Sequence, residues 1–254
     1  MANLVSDAKK SIRKWGGEFL VIVLGILAAL AIDNWNSDRQ DRQLERTYIE
    51  SLLDDLRSDD QALLNTMANA EDYANSGLMV LDTVKNQKVD VSTEDFLRGL
   101  RRSGFLSFTT HSRHTINDLL STGNLRIIRD EAVLKGVSDY YAEIDYSSQW
   151  QQNWRQYQVD LGLIIPEFVS LEVRLVPSDE NRDRAPPWVD ADLSVSTEQV
   201  DEVLSKLAAS PQAIYAIENM VRTQGINYRY ARDIRETLHD LIEVVEAYES
   251  KISP

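Results

Sequence analysis

At 254 residues, with 43% apolar and 27% charged side chains, the chain has ordinary globular composition and length for one or two cored domains. Its formal charge is −14, and residues 1–36 carry a balance of +1, so the remainder holds −15 and repels phosphate backbones. Nucleic acid is therefore not an expected partner. The absence of cysteine removes disulfides, thiolate zinc sites and cysteine nucleophiles, and fits an oxidising compartment slightly better than the cytosol.

In chain order, the first feature is an amphipathic stretch with Leu4, Val5, Ala8 and Ile12 on one side and Lys9, Lys10, Arg13 and Lys14 on the other. Such a segment suits the surface of an anionic leaflet. Residues 19–32, FLVIVLGILAALAI, follow without a charge. That run is short against a ~30 Å hydrocarbon core, but Trp15 and Trp35 flank it about 30 Å apart along a helix, where interfacial aromatics belong. The expectation is a transmembrane helix over 15–35, a basic cytoplasmic tail over 1–14 and an extracytoplasmic body over 36–254. The basic residues preceding the span favour this orientation in a bacterial inner membrane, with the bulk periplasmic. A cleavable signal peptide, with Ala29-Leu30-Ala31 as a cleavage-like triplet, is a competing reading, and so is a buried core helix. Glu18 abutting the run and the unbroken helical pattern beyond it count against cleavage.

Within the span Gly17, Gly25, Ala28 and Ala29 supply small residues for close helix approach, Gly25-x-x-x-Ala29 being the clearest pair. Glu18 sits one turn after Lys14, where an i,i+4 pair neutralises it; the sharper alternative makes Glu18 the mouth of an oligomeric pore, with Trp15 and Trp35 at the interfaces.

The body reads as helices throughout. Leu44, Tyr48, Leu52, Leu56, Leu63, Met67 and Ala70 recur at helical spacing, with Asp54, Asp55, Arg57, Asp59 and Asp60 expected opposite them as a solvated face. Gly77 and the polar residues 85–90 mark a first turn region, and Ser92 starts a helix that stops near Gly104. Residues 105–110 connect to a helix over 112–121, Gly123-Asn124 turns the chain, and Asp130 caps a long helix to about Val176, kinked or restarted at Pro166. Residues 177–196 form a Pro- and charge-rich excursion. Closing helices follow, 197–209 capped by Ser196 and 211–248 interrupted at Gly225. Antiparallel helices on short turns imply an all-α bundle.

Residues 16–56 (GGEFLVIVLGILAALAIDNWNSDRQDRQLERTYIESLLDDL) resemble the opening of a bacterial single-pass membrane family known only as a domain of unknown function. Residues 115–141, with their Thr, Gly-x-Leu turn and paired tyrosines, are similar to the middle of the same family. The resemblance implies the anchor and a helical body, and brings no activity, ligand or catalytic residue with it. The excursion at 177–196 has no counterpart in it.

Three constellations could carry chemistry. His111 and His114, with Asp118 one turn on, have metal-compatible spacing, although Arg113 opposes a cation and a capping or packing role is the blander account. Tyr146, Trp150, Trp154 and Tyr157 form an aromatic run among glutamines; core packing, a partner surface and a ligand site are its three readings. Glu236, Asp240, Glu243 and Glu246 line one helical side, as a solvated face does. No nucleophile elbow, phosphate loop, dinucleotide fingerprint or His-Glu-x-x-His occurs, so neither an enzyme nor a cofactor is expected. The reading is a membrane-anchored helical protein that assembles with itself or with a membrane partner. A channel or transport accessory with Glu18 at its entrance is the alternative, and a periplasmic ligand-sensing bundle the third.

Overall fold

From Glu45 onward, buried positions recur in alternating steps of three and four: Ile49, Leu52, Leu56, Asp59, Leu63, Thr66 and Ala70, then Gly77, Val80 and Val84. The last helix has the same rhythm from Ile217 through Met220, Gln224, Asn227, Ala231, Ile234, Leu238, Leu241 and Val245 to Tyr248. A repeat of 3.5 residues keeps one seam facing a partner along a long helix, which is the coiled-coil condition.

The computed structural model, describing residues 2–87, 91–175 and 195–253, joins these two seams. Helix α1 runs Ala2–Asn86 and α7 runs Pro211–Ile252. They are antiparallel: the Arg46 guanidinium donates to the carbonyl of Ile252 (2.7 Å), Arg57 pairs with Glu246 (3.0 Å), and Asp60 meets Arg235 (2.7 Å). Helix α4 (Glu131–Phe168) packs along α7. The shorter α2 (Thr93–Arg102) and α6 (Thr197–Ala208) close the far end, while α3 (His114–Thr122) and a 3-10 turn (Asn124–Ile127) lie against α1. Two apolar cores result. One gathers Leu52, Leu56, Tyr140, Ile144, Leu238 and Val245; the other gathers Val80, Phe96, Leu161, Leu207, Ile217 and Met220. Burying each such side chain contributes about 1.5–3 kcal/mol. The chain is all-α, with no strand among the described residues.

Helix boundaries follow local chemistry. Asp130 accepts the amides of Ala132 and Val133, and Ser196 forms a capping box with Gln199. Gly123 ends α3 in the left-handed conformation (φ 73°) that a side chain disfavours. Helix α4 continues two residues past Pro166 to Phe168, and α5 (Leu171–Leu175) restarts the chain. The excursion expected at 177–196 lies outside the described residues as far as 194.

Two glycines are not the breaks the sequence suggests. Helix α7 passes through Gly225, where a Cβ would meet nothing within 4 Å. Helix α1 passes through Gly77 because the seam needs a small residue there: an added Cβ falls 2.5 Å from Val221 Cγ2. Valine is stiff at χ1 in a helix and cannot swing aside. Gly77→Ala is therefore expected to destabilise by about 1–3 kcal/mol despite better helix propensity. Gly99→Ala, whose Cβ overlaps the flexible end of Met79 and is otherwise in ordinary contact with the Ser76 carbonyl, is expected to be near neutral. Thermal melts of the two variants check the contrast; equal melting temperatures would contradict the packing account.

Over residues 23–44 no apolar side chain of the helix is buried against the bundle, although Asp38 accepts from the Arg129 guanidinium (2.9 Å). Every residue over 23–44 is exposed, including Leu24, Ile26, Leu27, Leu30, Ile32 and Trp35. The backbone of residues 2–22 continues the helix, and the side chains of Trp15 and Glu18 and the surroundings of Gly17 lie outside those described. Among the described residues no helix is long and apolar enough to cross a membrane. At roughly 1.5 Å per residue, the exposed apolar run 23–32 spans about 15 Å.

Candidate functional site: the acidic row of α1 and the connector it holds

Between α2 and α3 the chain crosses the waist of the bundle, between the two cores, without secondary structure over 105–113. A backbone half-buried there has donors and acceptors that water reaches poorly, so side chains take them. Those groups come from all three long helices. On the acceptor side of the connector, Gln224 donates to the carbonyl of Phe105 (2.6 Å), Asn227 to that of Ser107 (2.7 Å) and Gln158 to that of Gly104 (3.0 Å). The Tyr141 hydroxyl donates to the carbonyl of Ser112 (2.9 Å), and the Thr109 hydroxyl donates to the side-chain hydroxyl oxygen of Thr66 (2.8 Å).

On its donor side stand carboxylates of α1. Asp59, 1% exposed, accepts the Ser112 amide on Oδ1 (2.6 Å) and the Tyr140 hydroxyl on Oδ2 (2.7 Å). Asp55, one turn earlier, accepts the Thr115 amide (2.9 Å). Glu45, 2% exposed, accepts the Arg129 amide (2.8 Å) and the Tyr248 hydroxyl (2.6 Å). Asp60 takes Arg235 and His239, each at 2.7 Å; burial pushes its carboxyl up, but these hydrogen bonds outweigh that and hold it below its usual value.

The expected solvated face is thus corrected. Asp54 and Arg57 are exposed as foreseen, but Asp59 is core and Asp55 and Asp60 are partly buried. The signal was present, because Glu45 and Asp59 occupy positions of the 3.5-residue seam. A carboxylate at a seam position has to find donors, and the paired tyrosines with the following connector supply them.

The histidine constellation is taken apart by the same contacts. His111 turns inward, with Nδ1 3.3 Å from the Tyr140 hydroxyl and 3.5 Å from Asp59 Oδ2. His114 is exposed, and Asp118 accepts the Tyr48 hydroxyl (2.7 Å). No group of three or more His, Asp or Glu that could hold a metal occurs among the described residues. The aromatic run divides as well. Trp154 is core, 6% exposed and 5.4 Å from the Tyr230 ring, and Tyr157 is half-buried. Tyr146 and Trp150, 54% and 41% exposed, form an edge-to-face pair on the surface. Of the small residues expected to pack in the span, Gly25, Ala28 and Ala29 are exposed.

Chemically this arrangement is a clamp. Its carboxylates are occupied by backbone amides and phenols, which organise the connector and leave those oxygens already engaged. Its tyrosines make it sensitive to base. Burial first, then the Glu45 hydrogen bond and charge, push the Tyr248 phenol up to about 12; burial and the Asp59 charge push Tyr140 and Tyr141 upward too. A raised phenol means the folded state holds its proton longer than the unfolded chain does. Its contribution to stability is complete below the unfolded value of 10.0 and is lost as pH rises from there to about 12. Melting temperatures are expected to be level from pH 8 to 10 and to fall above it, less steeply in Tyr248→Phe. An unchanged melt up to pH 12 would refute this.

No protein-family model, curated protein or solved structure matches the chain. The resemblance carried by residues 16–56 and 115–141 therefore rests on those residues alone.

Proposed function

We propose that this chain is a membrane-anchored helical interaction protein, tethered by residues 15–35 in a bacterial inner membrane. Its basic tail is cytoplasmic and its bundle periplasmic, and it assembles with itself or with a membrane partner. One observation carries the reading: residues 23–44 leave the bundle as an exposed helix, apolar over 23–32, that is continuous with the main seam of the fold. An apolar helix does not stay uncovered in water, and lipid or other helices are what cover it. The exposed run is too short to span alone, so the span needs residues 15–22 as well. Because anchor and seam are one helix, force or rotation at the membrane passes into the bundle without a hinge.

Gly25, Ala28 and Ala29 offer the small face for helix association, and the exposed Tyr146–Trp150 pair offers a second surface on the body. The experiment is carbonate washing of membranes followed by native mass measurement in nanodiscs. The reading expects the chain in the pellet and a mass above that of one copy, or a co-purifying membrane protein. A chain released to the supernatant, or a strict monomer without a partner, would count against it.

A further inference from the structure

At the end of the bundle far from the exposed helix, α4 and the start of α7 leave a cleft of about 300 Å³ between them, at the low end of the size range of small-molecule sites. Ile164 and Ala216 are its buried apolar members, and each helix adds a tyrosine, Tyr157 and Tyr215. Tyr157 is half-buried and Tyr215 is 64% exposed, as a ring must be if a ligand is to stack on it. Asp160 and Asn219 supply an acceptor and a donor. Asn219 is 6% exposed, and its Oδ1 accepts from the Arg222 guanidinium (3.1 Å). A guanidinium only donates, so this contact fixes the orientation of the amide and leaves its NH2 without an acceptor among the described residues. A buried NH2 in that state is costly, and a hydroxyl oxygen arriving in the cleft removes the cost. Asp160 Oδ1 accepts from the Gln156 side chain (2.8 Å), while its Oδ2 has no partner among the described residues. No cation lines the cleft among the described residues, which disfavours an anion on a chain of charge −14. Tyr146 and Trp150 precede Tyr157 and Ile164 at steps of four, seven and seven, so all four fall on one side of α4. The exposed edge-to-face pair therefore continues the cleft along the helix, with about 16 Å from Tyr146 to Tyr157 at roughly 1.5 Å per residue.

We infer that this cleft binds a neutral oligosaccharide, with one pyranose ring against Tyr157 and Tyr215 and the following rings running toward Trp150. A pyranose has the matching chemistry. Its C–H face is apolar and suits the tyrosine rings, and its rim of hydroxyls both donates to Asp160 and accepts from Asn219. A quaternary ammonium would use the rings and the carboxylate but leave the Asn219 NH2 unpaired. The site lies on the body, so it stands whether or not residues 15–35 cross lipid.

The test is saturation-transfer NMR on the full chain, in nanodiscs of zwitterionic lipid, or in buffer if the chain does not enter them. Cellotetraose, maltotetraose and N-acetylchitotetraose are the probes. Transfer from protein to the C–H face of at least one of the three is expected. Tyr215→Ala and Asp160→Ala should each weaken binding of that tetraose about tenfold, one removing a stacking ring and the other a charged acceptor. Neither residue belongs to the two apolar cores, so both variants should melt with the parent. Trp150→Ala should weaken the tetraose and leave the corresponding disaccharide unaffected. Transfer to none of the three probes, transfer that survives both Tyr215→Ala and Asp160→Ala unaltered, or displacement of the tetraose by an equal concentration of choline would overturn the inference. A Trp150→Ala variant that binds the tetraose as the parent does would overturn the extension along α4.

Discussion

Asp59→Ala is expected to lower the stability of the body by about 3–5 kcal/mol, from two hydrogen bonds to a carboxylate at roughly 1.5–3 kcal/mol each. The change removes the acceptor of the Ser112 amide and of the Tyr140 hydroxyl, leaving the hydroxyl with His111 Nδ1 at 3.3 Å. Both donors sit where water does not reach easily, so the loss is that of leaving them unsatisfied rather than of exchanging partners. It also removes the carboxylate beside His111. For a chain of this size the melting temperature should fall by about 10 °C. Asp59→Asn retains an acceptor and should lose roughly half as much. Asp54→Ala, five positions earlier on the exposed side, should stay within about 0.5 kcal/mol of the parent. Thermal melts followed by circular dichroism measure all three. Amide exchange adds a local reading, because residues 105–115 should lose protection in Asp59→Ala before the helices do. A variant as stable as the parent would mean that the connector is not held from α1.

The second large effect is on the anchor. Ile26→Arg with Leu30→Arg sets two cations one turn apart on the exposed apolar run. On insertion scales each arginine near a helix centre costs about 2.5–3.5 kcal/mol, so the pair opposes lipid burial by about 5–7 kcal/mol. The parent chain is expected to stay with carbonate-washed membranes and the double variant to move substantially to the supernatant. Neither side chain belongs to the two apolar cores, so the melting temperature of the body should not change. That pairing matters: a variant released from the membrane with an intact bundle assigns the run to lipid contact, whereas one that sediments like its parent removes lipid as the cover. Release of the variant together with a lowered melt would instead tie the run to folding.

Helix identity was legible because it depends on neighbours in sequence. The caps at Ser92, Asp130 and Ser196, the left-handed Gly123 and the stop near Pro166 are local backbone chemistry, and each sits at a boundary the residues announce. The apolar periodicity of α1 and α7 likewise determined an all-α chain. What only the tertiary structure decided is which positions face which partner. Gly77 reads as a turn until Val221 stands against it, and Gly225 reads as a break although nothing crowds it. Asp55, Asp59 and Asp60 read as solvent-facing until Ser112, Thr115, Tyr140 and Arg235, distant in sequence, arrive to occupy them. Trp154 separates from Tyr146 and Trp150 because a spacing of four residues drifts around the helix, turning one ring inward and two outward. Propensity and capping act within a few residues and can be read along the chain. The burial of a carboxylate or the reason for a glycine depends on atoms 53 to 203 positions away, which the fold alone brings into contact.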